Sequence, residues 1–468
     1  MGLHTIKTNH RFNTTIIISI ILSWVMAFPF EGQLLFAVAG HYHYNIYIIS
    51  TCGVLVHLLG IIFSGYLFRS ARAVKKLFQY TILLNITACF VFLYPPSALW
   101  YAFLFLGLFF SGCCAAAWAI YMKDYTPVDD RMVTIADFLI INNSILLLIG
   151  VVTMFITYQM GLLFMILLLT TALFFSVFLP EEEGSAGTAA VQGQVNIKKV
   201  FLLLTVFLFL GASTIGLTFQ FILPAYYKLG KVTYFYWTVA YIIALIIMRK
   251  FFRKINRNFM LTISVAFLGF AFVDFMLFGI TWTGFYLSCT QIFFARAVFD
   301  LLWWSISGEL LEFCKAPVKL YGGILFVYLL GQVTGGNLGF FARHYQVGLT
   351  YPVAAALVAV LTMTILLPPL KKELSSLLKS HSFLSRLSEL EPVEQAELVK
   401  KAALFENLTE RESEIVALLM QGRTYKMISA ELFLSENTIK THIKNIYSKL
   451  QVKNKAELIN TLLEHQKE

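Results

Sequence analysis

The sequence predicts an all-α protein: a polytopic membrane bundle of twelve helices, arranged six and six, followed by a small water-soluble domain of four short helices. Three observations carry that reading. Of the 468 residues, 58% are hydrophobic and 13% charged, where a soluble domain is charged at about a quarter of its positions. Apolar runs long enough to cross a bilayer, about 20 residues each, recur along the first 370 positions. Charge is then redistributed, because residues 371–468 hold 14 of the 26 acidic residues. Two solvents, lipid and water, are addressed in turn.

The apolar runs lie at 14–36, 46–68, 77–94, 97–122, 132–157 and 161–179, then at 199–222, 232–251, 259–279, 283–306, 320–341 and 349–368. Tyr94-Pro95-Pro96-Ser97 separates the third from the fourth. Residues 180–198 are acidic and then Gly/Ala-rich without pattern, as suits a connector between two sets of six. Ala37-Val38-Ala39 mimics a signal-peptide cleavage site, but the run before it is long and broken by Glu31 and Gln33, which favours an uncleaved span. With the N-terminus inside, the inner loops hold 17 Lys and Arg, and the outer loops hold Lys228, Lys231 and Arg343. Both ends are therefore expected in the cytoplasm. The expected domains are 1–370 in the membrane, a linker helix at 371–402 and a soluble domain at 403–468.

All six cysteines lie in apolar stretches and read as buried packing residues; Cys113-Cys114 lacks the neighbours of a metal or redox site. His41 and His43, in the first outer loop without a carboxylate, read as polar surface. Gly331, Gly335 and Gly339 fall in one row, where small residues let helices approach closely. Charges inside spans are costly and default to function. Arg296 and Asp300 share one helical face near the middle of the tenth span, and Glu31 lies in the first. Asp137, Asp274, Glu309 and Glu312 lie nearer span ends and read as structural. No catalytic constellation, metal cluster or cofactor motif accompanies them, so no enzyme is expected.

Twelve helices in two sixes, with strongly basic loops after the second and eighth, resemble the major facilitator superfamily over about 370 residues. The family's signature loop corresponds to Gly65 through Lys76; the Gly and the basic residues are present, but Arg69 stands where the family carries Asp. The resemblance implies that spans one, four, seven and ten line a central cavity. Glu31, Trp118, Gln220, Arg296, Asp300 and Trp303 would then surround an unknown small-molecule ligand.

The tail reads differently. Thr409 with Glu412 forms a capping box, Ile415, Val416, Leu418 and Leu419 make an apolar stripe, and Gly422 ends the helix. A second helix follows from Tyr425 to Leu432, Ser435 caps a third, and a fourth starts near Lys455. On the third, Ile439, Ile443, Ile446 and Leu450 must face a core, while Asn437, Thr441, Lys444, Asn445 and Ser448 lie opposite. Such a helix suits the DNA major groove, and residues 437–455 hold five Lys and no acid.

Leu408, Thr409, Arg411, Glu412, Glu414, Gly422, Ile428, Leu432, Ser435, Thr438, Lys440, His442, Lys444, Ile446, Tyr447, Lys449, Leu450, Val452, Asn454 and Ala456 resemble the LuxR-type helix-turn-helix of bacterial transcription regulators. The resemblance implies Lys440, Thr441 and Lys444 at base edges, and Thr424, Lys426, Asn437, Thr438, Tyr447 and Lys449 near phosphates. Tyr425, Ser429 and Lys455 depart from the usual Asn, Ala and Arg. The partners it implies are double-stranded DNA bound as a homodimer, and RNA polymerase. With a bilayer around the first part, the expected protein is a one-component regulator in a bacterial cytoplasmic membrane. The alternative is a secondary transporter of an organic solute with an accessory DNA-binding tail.

Overall fold

The computed structural model describes residues 9–30, 33–43, 47–182, 197–251, 257–311, 314–388, 408–420, 425–452 and 458, and all regular structure among them is helical. The chain divides into two compact units, residues 1–188 with 204–367, and residues 189–203 with 368–468.

In the first unit, α1 (His10–Val25) starts where the Asn9 side chain accepts the Phe12 amide at 3.0 Å. A π-helical turn (Met26–Phe30) leads to α2 (Gln33–His41), and α3 (Tyr47–Leu67), α4 (Ala71–Val91), α5 (Ala98–Tyr125), α6 (Val128–Phe155) and α7 (Tyr158–Val177) complete the first set. The second set repeats the order. α8 (Ile197–Leu217) runs into a π-helical turn (Thr218–Ile222) and the short α9 (Leu223–Tyr226). Then come α10 (Tyr236–Phe251), α11 (Arg257–Phe278), α12 (Trp282–Leu310), α13 (Pro317–His344) and α14 (Thr350–Ser388); residues 197–203 of α8 and 368–388 of α14 are counted with the second unit.

Ten described helices are long and apolar enough to cross a membrane by length and composition. The other two of the twelve are α4, with Arg72, Lys75 and Lys76 near its start, and α10, 16 residues long. Both are held by neighbours: α4 packs on α5 and α7, and α10 on α6 and α12. The last helix does not end at 368 but continues through Pro368 and Pro369.

Glycines set the closest approaches. A Cβ on Gly335 would stand 1.8 Å from the Ser213 carbonyl oxygen, and one on Gly331 2.5 Å from that of Phe209, so the row on α13 is a contact seam against α8. Gly60 and Gly112 do the same for α3 and α5. Two cysteines depart from expectation: Cys52 is exposed and Cys314 partly so. An apolar thiol needs no burial in protein where the surroundings are lipid, and Leu167, Phe270, Val358 and Ile365 are exposed in the same way. Cys113 and Cys114 point to different neighbours, the Gly60 carbonyl and the Thr81 hydroxyl, and serve packing.

The second unit contains α15 (Glu410–Met420), α16 (Tyr425–Glu431) and α17 (Glu436–Lys449). Its core joins Ile415, Val416 and Leu419 of α15 to Ile428 of α16 and Ile439, Ile443 and Ile446 of α17, with Leu408, Leu450, Val452 and Leu458 closing it. The capping box is reciprocal: the Thr409 amide donates to Glu412 Oε2 at 2.8 Å, and the Glu412 amide to Thr409 Oγ1 at 3.2 Å. Ser435 caps α17 by accepting the Thr438 amide at 3.1 Å. Of the expected fourth helix, Leu458 alone is described.

Candidate functional sites: a helix-turn-helix face and a membrane chamber

The first site is the outer face of α17. Its apolar stripe is consumed by the core, which leaves Asn437, Lys440, Thr441 and Lys444 exposed side by side. Thr441 Oγ1 donates to Asn437 O at 3.0 Å, so its remaining capacity is as an acceptor. Thr438 is half-buried at the cap, where its hydroxyl meets that of Ser435 at 2.8 Å. Tyr447 is half-buried; burial first, then the Tyr425 phenol hydrogen-bonded to it, raises its own phenol above the usual range. Lys449 is turned inward, donating to Glu412 Oε2 at 2.6 Å. Burial pushes the Glu412 carboxyl up, but the Lys449 and Thr409 hydrogen bonds outweigh it and hold the group below the ordinary value. Thr424 and the side chain of Lys426 lie outside the described residues.

A shallow groove of about 520 Å³ runs along this face, lined by Tyr425, Lys440, Lys444, Tyr447, Ser448 and Gln451 among others. Gln451 was not picked out from sequence; it follows α17 in a left-handed conformation that no helical period reports. Arg411 fixes the turn before α17 by donating to Leu432 O at 2.7 Å.

The second site lies inside the membrane unit. Asp300 is 3% exposed and accepts four hydrogen bonds: Tyr328 Oη at 2.7 Å and Trp303 Nε1 at 3.1 Å on Oδ1, Tyr241 Oη at 2.9 Å and Arg296 Nε at 3.3 Å on Oδ2. Those fill the lone-pair sites of a carboxylate. The Arg296 guanidinium also sits over Phe219, Tyr241 and Trp237, at 4.8, 5.1 and 5.9 Å from the ring centres. Charge is thus admitted to the bundle by a carboxylate, hydroxyls and π-faces acting together.

Arg296 and Asp300 line a chamber of about 80 Å³, well below the 300 Å³ or more of a usual ligand pocket. The other predicted residues stand elsewhere. Trp303 is behind Asp300 as a donor, and Trp118 packs on Phe138 and Trp304, which are themselves in the wall. Gln220 lies in the second π-turn beside Gly336 and Gly339, and Glu31 is outside the described residues. The wall also draws on spans two, five, eight and eleven, through His57, Asn142, Asn143, Tyr241, Tyr328 and Gln332. Sequence reasoning missed these groups because it looked for the cavity wall only in spans one, four, seven and ten. His57 places Nδ1 at 3.0 Å from Leu108 O, an oxygen that can only accept, so Nδ1 is the donor there, and Asn142 Nδ2 donates to Ser19 O and Ser23 Oγ.

Together these features define a class: a helix-turn-helix DNA-binding regulator domain on the same chain as a transporter-like membrane bundle. Residues 406–462 match the family described as bacterial regulatory proteins, luxR family. The spore germination protein GerE of Bacillus subtilis is 46% identical over 56 residues, which are 12% of this chain and 76% of that protein. The chain belongs to the LuxR family through this domain. The transcriptional regulatory protein LiaR of Bacillus subtilis is 50% identical over 52 residues, 11% of this chain, and the chain spans 25% of its length.

The membrane part is similar in fold to the human organic anion transporter MFSD10 (TETRAN), with a TM-score of 0.55 and 14% identity over 80% of this chain and 100% of that one. The major facilitator superfamily transporter FucP gives a TM-score of 0.55 at 12% identity, covering 77% of this chain and 98% of that one.

Proposed function

We propose that the protein is a membrane-embedded one-component transcription regulator. Residues 1–370 sense a small molecule, residues 371–402 link, and residues 403–468 bind promoter DNA. The observation that carries this reading is the exposed row Asn437, Lys440, Thr441 and Lys444 on a capped helix whose opposite face is wholly used by the core. Lys440, Thr441 and Lys444 read bases in the major groove; Asn437, Thr438, Tyr447, Thr424 and Lys426 position the phosphates. Lys449 joins them only when it leaves Glu412. Two copies pair on DNA half-sites, and RNA polymerase is the downstream partner. The sensing site is the Arg296–Asp300 chamber, which must widen to admit an organic ligand. Both termini face the cytoplasm of a bacterial cell. The ligand changes DNA binding to the extent that it favours one bundle state over another.

The test is genome-wide DNA occupancy of the full-length protein in its own membrane, beside the Lys440→Ala/Lys444→Ala double variant. Discrete sites lost in the variant are expected, at about 1–3 kcal/mol per base-reading side chain. Sites that persist unchanged in the variant would overturn the assignment of this face.

A second reading, a secondary transporter of an organic solute with a DNA-binding tail, is favoured by the buried ion pair in the chamber. Counterflow in proteoliposomes separates the two, since a pure sensor gives none.

A further inference from the structure

The end of the membrane unit that carries the basic loops is tied across the two sets of six helices by cations that bond backbone oxygens. Arg131, near the start of α6 and 2% exposed, is the centre. Its Nη1 donates to Gly308 O on α12 at 2.8 Å; Nε and Nη2 donate to Thr126 O and Lys123 O, each at 3.2 Å, at the end of α5. Lys123 Nζ in turn donates to Cys314 O at 3.2 Å, just beyond α12. The last carbonyls of a helix carry the negative end of its dipole and have bonding capacity to spare; Gly308 O accepts the Leu311 amide within its helix and takes Arg131 as a second donor. Arg131 sits where two such ends, one from each set, come together.

Two further contacts cross between the sets: Arg249 pairs with Asp137 at 2.6 Å, and Lys319 lies over the Tyr66 ring at 4.3 Å. Arg69, which stands in the loop position where an acid is usual in the resembled superfamily, is exposed and makes no ion pair among the described residues. The tie has a different seat here.

We propose that Arg131 is the bolt that keeps the two sets of helices closed at this end, and that α12 carries the state of the chamber to it. α12 is one continuous helix, in which Arg296 and Asp300 lie about 18 and 12 Å along the axis before Gly308. A ligand that slides or rotates α12 draws the Gly308 oxygen away from a guanidinium held by α5. A guanidinium spreads its donors over three nitrogens and here uses each of them on a different carbonyl, whereas the three donors of an ammonium radiate from one nitrogen. Gly308 is buried, so its oxygen would keep only the Leu311 amide and gain no water in place of the guanidinium. The link to the chamber rests on the reading of the membrane unit as a sensor, whereas the bolt itself does not.

Cys314, partly exposed beside the tie, is a native reporter. The experiment measures its modification rate by a membrane-impermeant maleimide in full-length protein in inverted membrane vesicles. Arg131→Met should raise the rate about tenfold or more, the change that loss of one charged hydrogen bond gives. Arg131→Lys should fall between, and Arg249→Ala, which breaks an exposed pair, should stay within about twofold. An unchanged rate in Arg131→Met with a wild-type melting temperature overturns the bolt. If that variant fails to fold, Arg131→Lys and Lys123→Met decide, and unchanged rates in both overturn it. A raised rate with unaltered DNA occupancy upholds the bolt and counts against the regulator reading.

Discussion

Both units bury a carboxylate almost completely, and they do so in different ways. Asp300 is 3% exposed and Glu412 4%. In the membrane unit, Asp300 draws four donors from α10, α12 and α13, and its cationic partner is itself wrapped in aromatic rings. In the DNA-binding unit, Glu412 takes donors from Thr409, three residues away, and from Lys449, whose side chain is 36% exposed. Where water is absent on every side the protein must supply every partner, and it gathers them across helices. At the rim of a small soluble domain, a local capping box and one half-solvated lysine suffice. The same residue type is therefore a fold-wide commitment in one unit and a local device in the other.

That contrast can be broken by experiment. Asp300→Ala leaves Arg296 in the bundle without its carboxylate and should cost about 3–5 kcal/mol, read as a lowered melting temperature and yield in detergent. Replacing both partners by leucine should recover much of it, because the desolvation of both charges is removed together. Glu412→Ala should cost less, about 2 kcal/mol, since the capping box is lost and Lys449 can turn to water; unfolding of the full-length protein followed at its C-terminal unit measures it.

The pH response sharpens the same point. The carboxyl of Glu412 is held below its ordinary value in the folded state, so its contribution is present above the unfolded value of about 4.3 and is lost as pH falls through the folded one. Thermal melts of the C-terminal unit should therefore drop on acidification below about pH 4, and Glu412→Gln should flatten that drop. The smallest effect is expected at Phe433, which is 94% exposed at φ +56° in the turn before α17. Phe433→Gly should stabilise the unit by about 0.5–1 kcal/mol, because glycine adopts that backbone conformation without strain.

The DNA-binding unit was legible almost residue by residue. Its caps, stripe and turn are local signals, and the structure returns Thr409–Glu412, Ser435 and the Ile439, Ile443, Ile446 row in the expected roles. Lys449 was legible as a cation on the right helix, but not as a partner of Glu412, which lies 37 positions away in sequence. In the membrane unit the count and order of helices were legible from hydropathy, and so was the pairing of Arg296 with Asp300. The lining of the chamber was not. A π-turn holds one residue more than the α-helical period allows, so side chains in and beyond it rotate out of register. Gln220, assigned to the cavity through the resemblance of its span, lies in such a turn and does not line the wall, while Asn142, on a regular helix, does.

The lengths of the helices bear on where the tie at Arg131 operates. α5, α6, α12 and α13 each have 28 or 29 residues. At 1.5 Å per residue they measure about 42 Å, against a hydrocarbon core of about 30 Å. With a modest tilt, the surplus stands in the headgroup layer. The carbonyls gathered around Arg131 belong to the ends of α5 and α12 and thus to that overhang. A thicker bilayer would draw those ends toward hydrocarbon and raise the cost of parting charge from its partners there, while a thinner one would lower it. Lipid chain length is accordingly a variable that acts on the same joint as the amino-acid sequence.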